Sequence, residues 1–373
     1  MLVIGGGIAG SSVAYFASRA GWAVTVLDAE AGPSGRGGSG RASDVPSALL
    51  DPVRGNSGQI DARTLTGLRL SWTLIRHLSE RGYPVPHEQD GVLRPLTTDV
   101  ARGRFERHLP ADLPHHWLPN DGTPGHDRPS HDRLNQNGPN RNGPNPSWPN
   151  RSWLAPGWPH LLYLPEGGWV SGPALVAALL AESGAVVRRV RVQTWDGGSA
   201  TLPGGEVLKA DAVVWCGGSV GAAWGGAAAL DTQTFTHRGG SLLLLEHSPA
   251  PVPVVAGVYL APCPTPGGGS GGRGGVLGAT FEAPATHAYA SGPPLKSLHW
   301  LLARAAALTD ELSPTVTGLW TGSRLAGEYT GRQPGGWWAL AGLGSKGFLL
   351  GPLLARQLVT QLDTNPAANE ASR

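Results

Sequence analysis

Cysteine is nearly absent from this sequence, which holds only Cys216 and Cys263 in 373 residues. This argues against a disulfide scaffold and fits a reducing cytoplasm. Long apolar runs are also missing, since none approaches the roughly 20 residues that a helix needs to cross a bilayer. Residues 1–5 lack the charged stretch and the long apolar run of a secretory signal, so we expect a cytoplasmic protein without a membrane span.

Lysine is scarce as well, because Lys209, Lys296 and Lys346 are the only lysines and arginine supplies nearly all of the positive charge. Arginine suits bidentate binding of phosphate and carboxylate, although a genome-wide arginine bias explains the composition at least as well. The net charge of +2 is too small to indicate a nucleic-acid binder by itself. The abundant residues are Gly (56) and Pro (33), which indicate several loop-like inserts.

Apolar spacing predicts a β-α-β unit at the start of the chain. A strand over 2–4 leads into a helix over 8–20, and a second strand over 22–27 ends at Asp28. The same patterns predict further helices over 61–81, 173–181, 295–308 and 349–362, and strands over 161–164, 186–192, 212–215, 241–245, 254–260, 276–281 and 337–341.

Two tracts break this order. Residues 120–158 contain Asn/Gly/Pro near-repeats without apolar periodicity, so we predict a solvent-exposed, largely disordered insertion. Residues 264–275 are rich in glycine and predict a flexible hairpin loop.

The first glycine turn fits the pattern G-x-G-x-x-G over residues 5–10. In such a turn the first glycine makes the tight bend, the second lets the backbone approach a pyrophosphate, and the third lets helix and strand pack closely. The anion then lies at the helix N-terminus. Asp28 ends the next strand at the spacing of a residue that binds ribose hydroxyls. The residues expected to contact a dinucleotide are Gly5, Gly7, Ile8, Ala9, Gly10 and Asp28.

A second glycine turn lies between the last predicted strand and helix. A helix N-terminus at this turn would stabilise negative charge on a reduced flavin ring, which favours FAD over NAD. Gly342 and Gly344 would let the backbone approach closely. An ordinary structural turn is the alternative. The residues expected to contact the flavin here are Gly342, Gly344, Ser345, Lys346 and Gly347.

Together these stretches resemble the D-amino-acid oxidase and glycine oxidase superfamily of FAD enzymes, and within it the oxidoreductase half of bacterial tRNA wobble-uridine-modifying enzymes (MnmC). The resemblance covers most of the chain except the Asn/Pro-rich insertion. It is carried by residues 4–10, 39–41 with 48–50, 164–169, 259–262, 277–280 and 343–347. For the cofactor site it implies further contacts from Ser39, Gly40, Arg41, Ala48, Leu49, Val190, Gly217 and Gly218.

The resemblance implies an α/β fold with a discontinuous, Rossmann-like FAD-binding domain and an inserted substrate domain with a mixed or antiparallel β-sheet. We predict the FAD-binding domain over 1–82, 165–225 and 333–373, and the substrate domain over 83–164 and 226–332. The implied reaction is oxidation of a C–N bond by hydride transfer to the flavin. The implied substrate is carboxymethylaminomethyl-uridine in tRNA or, alternatively, glycine or another free small amine.

The predicted substrate site departs from the family pattern at Trp320. The family usually has an arginine here that clamps the substrate carboxylate. Arg324 lies nearby and could replace it, because a guanidinium suits a carboxylate, although a surface or packing role for Arg324 is equally compatible with the sequence. Tyr259 is a candidate for lining the substrate pocket. The missing arginine also keeps a catalytically silent flavin-binding protein open as an alternative.

Two further patterns carry competing functions. Residues 217–221 fit the nucleophile elbow G-x-S-x-G, with Asp231 and His237 following in hydrolase order. These two are only six positions apart, and the first glycine turn would be left unexplained, so we favour the flavoprotein. The histidines clustered at 115, 116, 126 and 131 lie in an irregular region without nearby cysteines, and we expect no metal site.

Overall fold

A computed structural model describes residues 1–29, 40–55, 57–118, 153–226, 230, 235–264, 273–282 and 292–364. Most of the predicted disordered insertion, the centre of the predicted hairpin loop and Ser39 lie outside the described residues. So do Asp231, His126 and His131.

The helices of the described ranges account for every predicted helix and add two. They are α1 (Ile8–Arg19), α2 (Ala62–Glu80), α3 (Asp99–His108), α4 (Gly172–Ser183), α5 (Gly218–Trp224), α6 (Leu295–Leu308) and α7 (Gly347–Thr364), with short 3-10 helices at Ala42–Asp44 and Gly344–Lys346. Helix α2 begins where Asp61 accepts a hydrogen bond from the Arg63 N–H at 2.7 Å. Its apolar stripe is buried as the spacing predicts, with Leu68 and Ile75 fully enclosed.

The strands are short on the amino-terminal side and longer on the substrate side. They are β1 (Leu2–Ile4), β2 (Thr25–Leu27), β3 (Ala48–Leu50), β4 (Val53–Arg54), β5 (Gln59–Ile60), β6 (His87–Glu88), β7 (Val92–Leu96), β8 (His116–Leu118), β9 (His160–Leu164), β10 (Gly168–Val170), β11 (Val186–Arg188), β12 (Thr194–Trp195), β13 (Ser199–Thr201), β14 (Val207–Lys209), β15 (Val213–Trp215), β16 (Thr236–Leu245), β17 (Val254–Val255), β18 (Tyr259–Pro264), β19 (Arg273–Gly278), β20 (Val316–Arg332) and β21 (Trp338–Leu343).

One 13-stranded sheet joins both halves of the molecule, in the order β11-β2-β1-β15-β21-β20-β16-β19-β18-β17-β7-β9-β8. The first five strands are parallel and come from separate stretches of the chain. They pack against α1 and α7 through buried side chains such as Val3, Val214 and Leu354. This discontinuous parallel unit confirms the predicted Rossmann-like architecture.

The other half of the sheet is mainly antiparallel, as expected for the substrate domain. Strand β20 holds the two halves together, because its first part pairs with β16 and its last part with β21. The sequence did not indicate this 17-residue strand, because its many glycines and polar residues leave only a weak alternation of apolar and polar positions. The domain boundaries themselves stay a prediction.

Several predicted strands have different bounds in the structure. The strand predicted over 254–260 is two strands, because the chain turns at Gly257, where φ is +83°. The strand predicted over 186–192 ends at Arg188, so Val190 lies outside it, although the Val190 N–H still donates to the Asp28 carbonyl at 3.1 Å. Strand β2 starts three residues later than predicted, at Thr25.

The predicted loop tracts are also shorter than the composition indicated. Trp153 is buried, and its carbonyl accepts a hydrogen bond from Thr309 Oγ1 at 2.5 Å. The Ala155 N–H donates to the Leu308 carbonyl at 3.1 Å. Residues 153–158 therefore belong to the folded part, against α6. Arg273 likewise opens β19 instead of lying in a loop.

Candidate functional site

A cavity of about 850 Å³ lies between the parallel and antiparallel halves of the molecule. Its walls come from both glycine turns, from the 3-10 helix and strand at residues 42–50, and from the facing strands of the substrate half. Its volume lies within the roughly 300–1,000 Å³ that is usual for ligand sites.

The first glycine turn is built as the motif requires. Gly5 has φ +101°, and a Cβ there would lie 2.6 Å from the Cys216 carbonyl oxygen. A Cβ on Gly10 would run into the Gly5 carbonyl, so α1 can approach β1 only with glycine at this position. The Ile8 N–H, in the first turn of α1, donates to Ser43 Oγ at 2.9 Å.

Asp28 lies against this turn at the end of β2. A Cβ on Gly6 would lie 2.6 Å from Asp28 Oδ2, which shows how closely the carboxylate approaches the backbone. Arg41 binds the same oxygen at 2.8 Å and also binds Asp44 at 3.0 Å. Asp28 and Arg41 both line the cavity, where the motif places the ribose-binding carboxylate.

The second glycine turn meets the first. Gly342 has φ +75°, and a Cβ there would collide with the Gly327 carbonyl. Helix α7 then starts at Gly347. A Cβ on Gly351 would lie 3.4 Å from Ile8 Cγ1, so α7 packs directly on the first turn of α1. Two turns more than 300 residues apart therefore border one cavity.

Lys346 is held by backbone carbonyls. Its Nζ donates to the Asp51 carbonyl at 2.5 Å and to the Val53 carbonyl at 2.7 Å. Burial lowers the pKa of Lys346 to about 8, although the Asp51 carboxylate opposes this shift. Asp51 forms a buried ion pair with Arg94 at 2.6 Å. Burial alone would raise the pKa of Asp51, but the charges of Arg94 and Lys346 outweigh it and lower that pKa.

Most of the residues predicted to bind the cofactor line this cavity. Those that do are Gly5, Gly7, Ile8, Ala9, Asp28, Arg41, Ala48, Leu49, Val190, Gly217, Gly218, Gly342, Gly344, Ser345, Lys346 and Gly347. Gly10 and Gly40 do not: Gly10 packs under the turn, and the Gly40 carbonyl accepts a hydrogen bond from the Ser323 N–H at 2.8 Å.

The substrate half presents one face of its sheet to the cavity. The register aligns Tyr259 with Gly278, Gly278 with Leu242, and Leu242 with Trp320 across four adjacent strands. Side chains at such paired positions share a face, so Tyr259 and Trp320 both face the cavity wall that carries Leu49. Burial raises the pKa of the Tyr259 hydroxyl, which is therefore neutral across the physiological range.

Arg324 lies opposite Arg238 on neighbouring strands, and both line the cavity. Neither guanidinium forms a hydrogen bond or ion pair within the part of the chain that the structure describes. The Arg324 guanidinium lies 5.5 Å from the Phe281 ring centroid. Burial lowers the pKa of Arg324, and Arg238 lowers it further while Tyr259 and Glu282 raise it; an arginine still stays protonated at neutral pH.

Several lining groups are suited to a polar, anionic ligand. Trp320 Nε1 and Ser323 Oγ are buried without a hydrogen-bond partner among the described residues. The carboxylates that line the cavity, Asp28 and Asp51, are each paired with an arginine. The cations that line it without such a pair include Arg238 and Arg324. The glycine turns, the unpaired polar atoms and the positive balance all fit FAD, whose pyrophosphate is anionic.

The residues of this site that sequence reasoning missed include Ser43, Asp51, Arg94 and Arg238. Asp51 directly follows the stretch 48–50 that resembled the flavin loop, which was the available signal for it. Arg238 precedes Gly239 and Gly240, a pair on which no prediction was based. Nothing in the sequence indicated that Arg94 would pair with Asp51 or that Arg238 would face Arg324.

The described residues of the alternative patterns form other contacts. Ser219 Oγ is buried and donates to the Ser323 carbonyl at 2.6 Å instead of to a histidine. His237 Nδ1 has no partner among the described residues. His115 Nδ1 lies 2.9 Å from the Leu113 carbonyl oxygen, and the described residues contain no cluster suited to a metal ion.

Comparison with known proteins identifies the family. The chain matches the family described as FAD dependent oxidoreductase (DAO) over residues 1–362. It belongs to this family. Membership confirms the predicted FAD cofactor and the predicted enzyme class, an FAD-dependent oxidoreductase.

Curated relatives carry the name tRNA 5-methylaminomethyl-2-thiouridine biosynthesis bifunctional protein MnmC. The protein from Delftia acidovorans is 28% identical over 415 residues, which cover 99% of this chain and 59% of the relative. The protein from Azoarcus sp. is 30% identical over 192 residues, which cover 50% of this chain and 25% of the relative. The resemblance seen in the motifs is thereby confirmed, and the chain spans less than two thirds of the length of these relatives.

Solved structures share the fold. Glycine oxidase from Geobacillus kaustophilus superposes with a TM-score of 0.71 at 22% identity, covering 96% of this chain and 94% of that chain. Iminodiacetate oxidase from Chelativorans sp. gives 0.71 at 20% identity, covering 96% and 95%. In the described ranges, no helix combines the length and the apolarity that a bilayer crossing requires.

Proposed function

We propose that this protein oxidises the C–N bond of an amine that carries a carboxylate, with carboxymethylaminomethyl-uridine in tRNA as the favoured substrate. The observation that carries this proposal is the cross-strand pair of Arg238 and Arg324, two guanidinium groups without partners among the described residues that border the cavity. FAD, when bound, supplies the acceptor for the hydride that leaves the carbon beside nitrogen.

The arginine pair explains how a carboxylate is held although Trp320 occupies the usual arginine position. Like charges directly opposite each other destabilise a sheet, and an anion between Arg238 and Arg324 removes this cost. Carboxylates form the strongest hydrogen bonds with guanidinium groups. Arg324 also rests on the Phe281 ring at 5.5 Å, which limits where its guanidinium can lie.

Tyr259 and Trp320 shape the rest of the substrate wall. Both are aromatic and lie on the cavity face of the sheet, where they exclude water from the reacting carbon. Trp320 Nε1, buried without a partner among the described residues, is a donor for a substrate oxygen. Because the Tyr259 hydroxyl is neutral, it orients the amine without abstracting a proton.

The preference for a tRNA substrate is supported by the relatives, which are named for tRNA modification. In the favoured reaction the amine nitrogen loses a proton and the adjacent carbon loses a hydride. Water then cleaves the imine, releasing glyoxylate and leaving the aminomethyl base. A cytoplasmic location, where tRNA is available, is part of this proposal.

The test is anaerobic bleaching of the bound flavin. The FAD-loaded protein is mixed with glycine, sarcosine, D-alanine or carboxymethylaminomethyl-modified tRNA, and its visible absorption is followed. Bleaching by the modified tRNA supports the favoured substrate. Bleaching by a small amine alone would show a free amino-acid oxidase, and no bleaching by any of them would show a silent flavin-binding protein.

The clamp is tested by Arg324→Gln, which keeps a polar side chain but removes the guanidinium group and its charge. Loss of one charge-assisted hydrogen bond of about 1.5–3 kcal/mol predicts a roughly 10- to 100-fold higher KM for the substrate that bleaches the flavin. Arg332→Gln is the matched control, because Arg332 is exposed on the same strand and does not line the cavity. Equal KM values for the two variants would refute the clamp.

A further inference from the structure

A row of two aromatic side chains flanked by two arginines runs along one wall of the cavity. The Arg324 guanidinium lies 5.5 Å from the Phe281 ring centroid. Phe281 and Trp300 meet edge to face with centroids 6.1 Å apart. The Arg304 guanidinium in turn lies 5.9 Å from the Trp300 ring. All four line the cavity, so the row connects the candidate substrate clamp to helix α6.

Phe281 is unusual because the residue is 60% exposed. It is the only exposed phenylalanine or tryptophan in the part of the chain that the structure describes, where the other large exposed apolar residues are leucine or valine. Leaving a phenylalanine ring in water forgoes the free energy of its burial. An exposed ring between two arginines at a cavity edge therefore points to a planar ligand that covers it.

The charge around the row is positive. Arg304 is exposed and forms no ion pair within the described residues. Glu282 follows Phe281 in the chain, and its carboxylate oxygens are buried; its charge acts on Arg324, whereas Arg304 lies at the other end of the row. Exposed aromatic rings interleaved with arginines are typical of surfaces that bind single-stranded nucleic acid, where bases stack and phosphates pair with cations.

We propose that Phe281, Trp300 and Arg304 form a docking surface for single-stranded RNA, on which a base next to the reacting nucleotide stacks on Phe281 while Arg304 binds a backbone phosphate. This inference rests on the proposed tRNA substrate, and it adds to that proposal the position of the RNA strand on the protein. The row ends at Arg324, so a nucleotide stacked on Phe281 places its neighbour at the clamp. Stacking tolerates any base, so the docking surface is not expected to read sequence.

The test measures binding separately from turnover. The FAD-loaded protein is titrated into a fluorescein-labelled anticodon stem-loop that carries carboxymethylaminomethyl-uridine at the wobble position, and fluorescence anisotropy gives Kd. Phe281→Ala is expected to raise Kd about tenfold, the effect of losing one base–aromatic stack. Phe281→Trp keeps a ring and is expected to retain the wild-type Kd. Arg304→Gln is expected to reduce the slope of log K against log salt by about one.

Two variants serve as controls. Leu319→Ala removes an exposed apolar side chain and Arg332→Gln an exposed arginine, both from β20 and neither at the cavity. Both are expected to bind the stem-loop as the wild type does. The docking surface is refuted if the wild type does not bind the stem-loop, or if it binds and Phe281→Ala leaves Kd unchanged. Failure of the proposed oxidation would appear instead as an unbleached flavin, whatever the Kd values show.

Discussion

Lys346 offers a test of the electrostatics of the second glycine turn. Its ammonium group is buried between the carbonyls of Asp51 and Val53, at 2.5 and 2.7 Å. Burial lowers the pKa of Lys346 from 10.5 to about 8. The perturbation is Lys346→Met, which keeps an unbranched apolar side chain of similar length but removes the donors and the charge.

The sign of the pH effect follows from proton linkage. Between pH 8 and pH 10.5 the unfolded chain still holds the Lys346 proton while the folded protein has lost it, so stability rises with pH through this window. From pH 7 to pH 9.5 the gain amounts to about 2 kcal/mol. At pH 7 the substitution has two opposing effects on stability. It leaves two buried carbonyls unpaired, which costs about 1–3 kcal/mol each, but it also removes the cost of burying a charge.

The free energy of unfolding of the wild type minus that of Lys346→Met is therefore expected to become more positive by about 2 kcal/mol from pH 7 to pH 9.5. Urea unfolding followed by tryptophan fluorescence, with FAD at one saturating concentration, measures it at each pH. Lys209→Met is the control, since Lys209 is exposed on β14 and the difference should stay constant. If this difference falls as the pH rises, the Asp51 charge outweighs burial in setting the pKa of Lys346, and the reasoning is wrong.

Three further outcomes are expected. Gly10→Ala should abolish stable FAD binding, because the added methyl collides with the Gly5 carbonyl; the flavin absorption of the purified variant checks this. Asp28→Ala should weaken FAD binding about tenfold or more through loss of a charge-assisted acceptor, measured by flavin fluorescence titration, and an unchanged Kd would remove Asp28 from the cofactor site. Trp320→Arg should lower KM for sarcosine or glycine by adding a guanidinium at the usual family position, and an unaltered KM in steady-state assays would contradict the placement of the carboxylate.

The cofactor half could be predicted from the sequence because its requirements are local. Gly5 has φ +101°, and Gly10 lies against the Gly5 carbonyl, so both positions require glycine. Such requirements appear in the sequence as glycines at a fixed spacing. The helix predicted over 295–308 has the observed bounds for the same reason, since apolar periodicity is a local property.

The substrate half was harder to predict from the sequence because its contacts depend on the register of the strands. Arg238 and Arg324 become neighbours only through the pairing of β16 with β20, two strands 86 residues apart at these positions. The buried pair of Asp51 and Arg94 likewise joins separate elements. Composition also gave a wrong prediction at the end of the insertion. The Asn/Pro-rich sequence predicted disorder there, but the Trp153 carbonyl accepts a hydrogen bond from Thr309.

Strand β20 has a mechanical consequence. It hydrogen-bonds to β16 along its first part and to β21 along its last part, so the backbone of one strand joins the cofactor wall to the substrate wall. Rotation of one wall against the other would have to bend β20 where its pairing passes from β16 to β21, at the register shift between Ala326 and Tyr329. The separation of the two walls, and with it the size of a ligand that fits between them, is therefore set by the backbone conformation of β20 at this point.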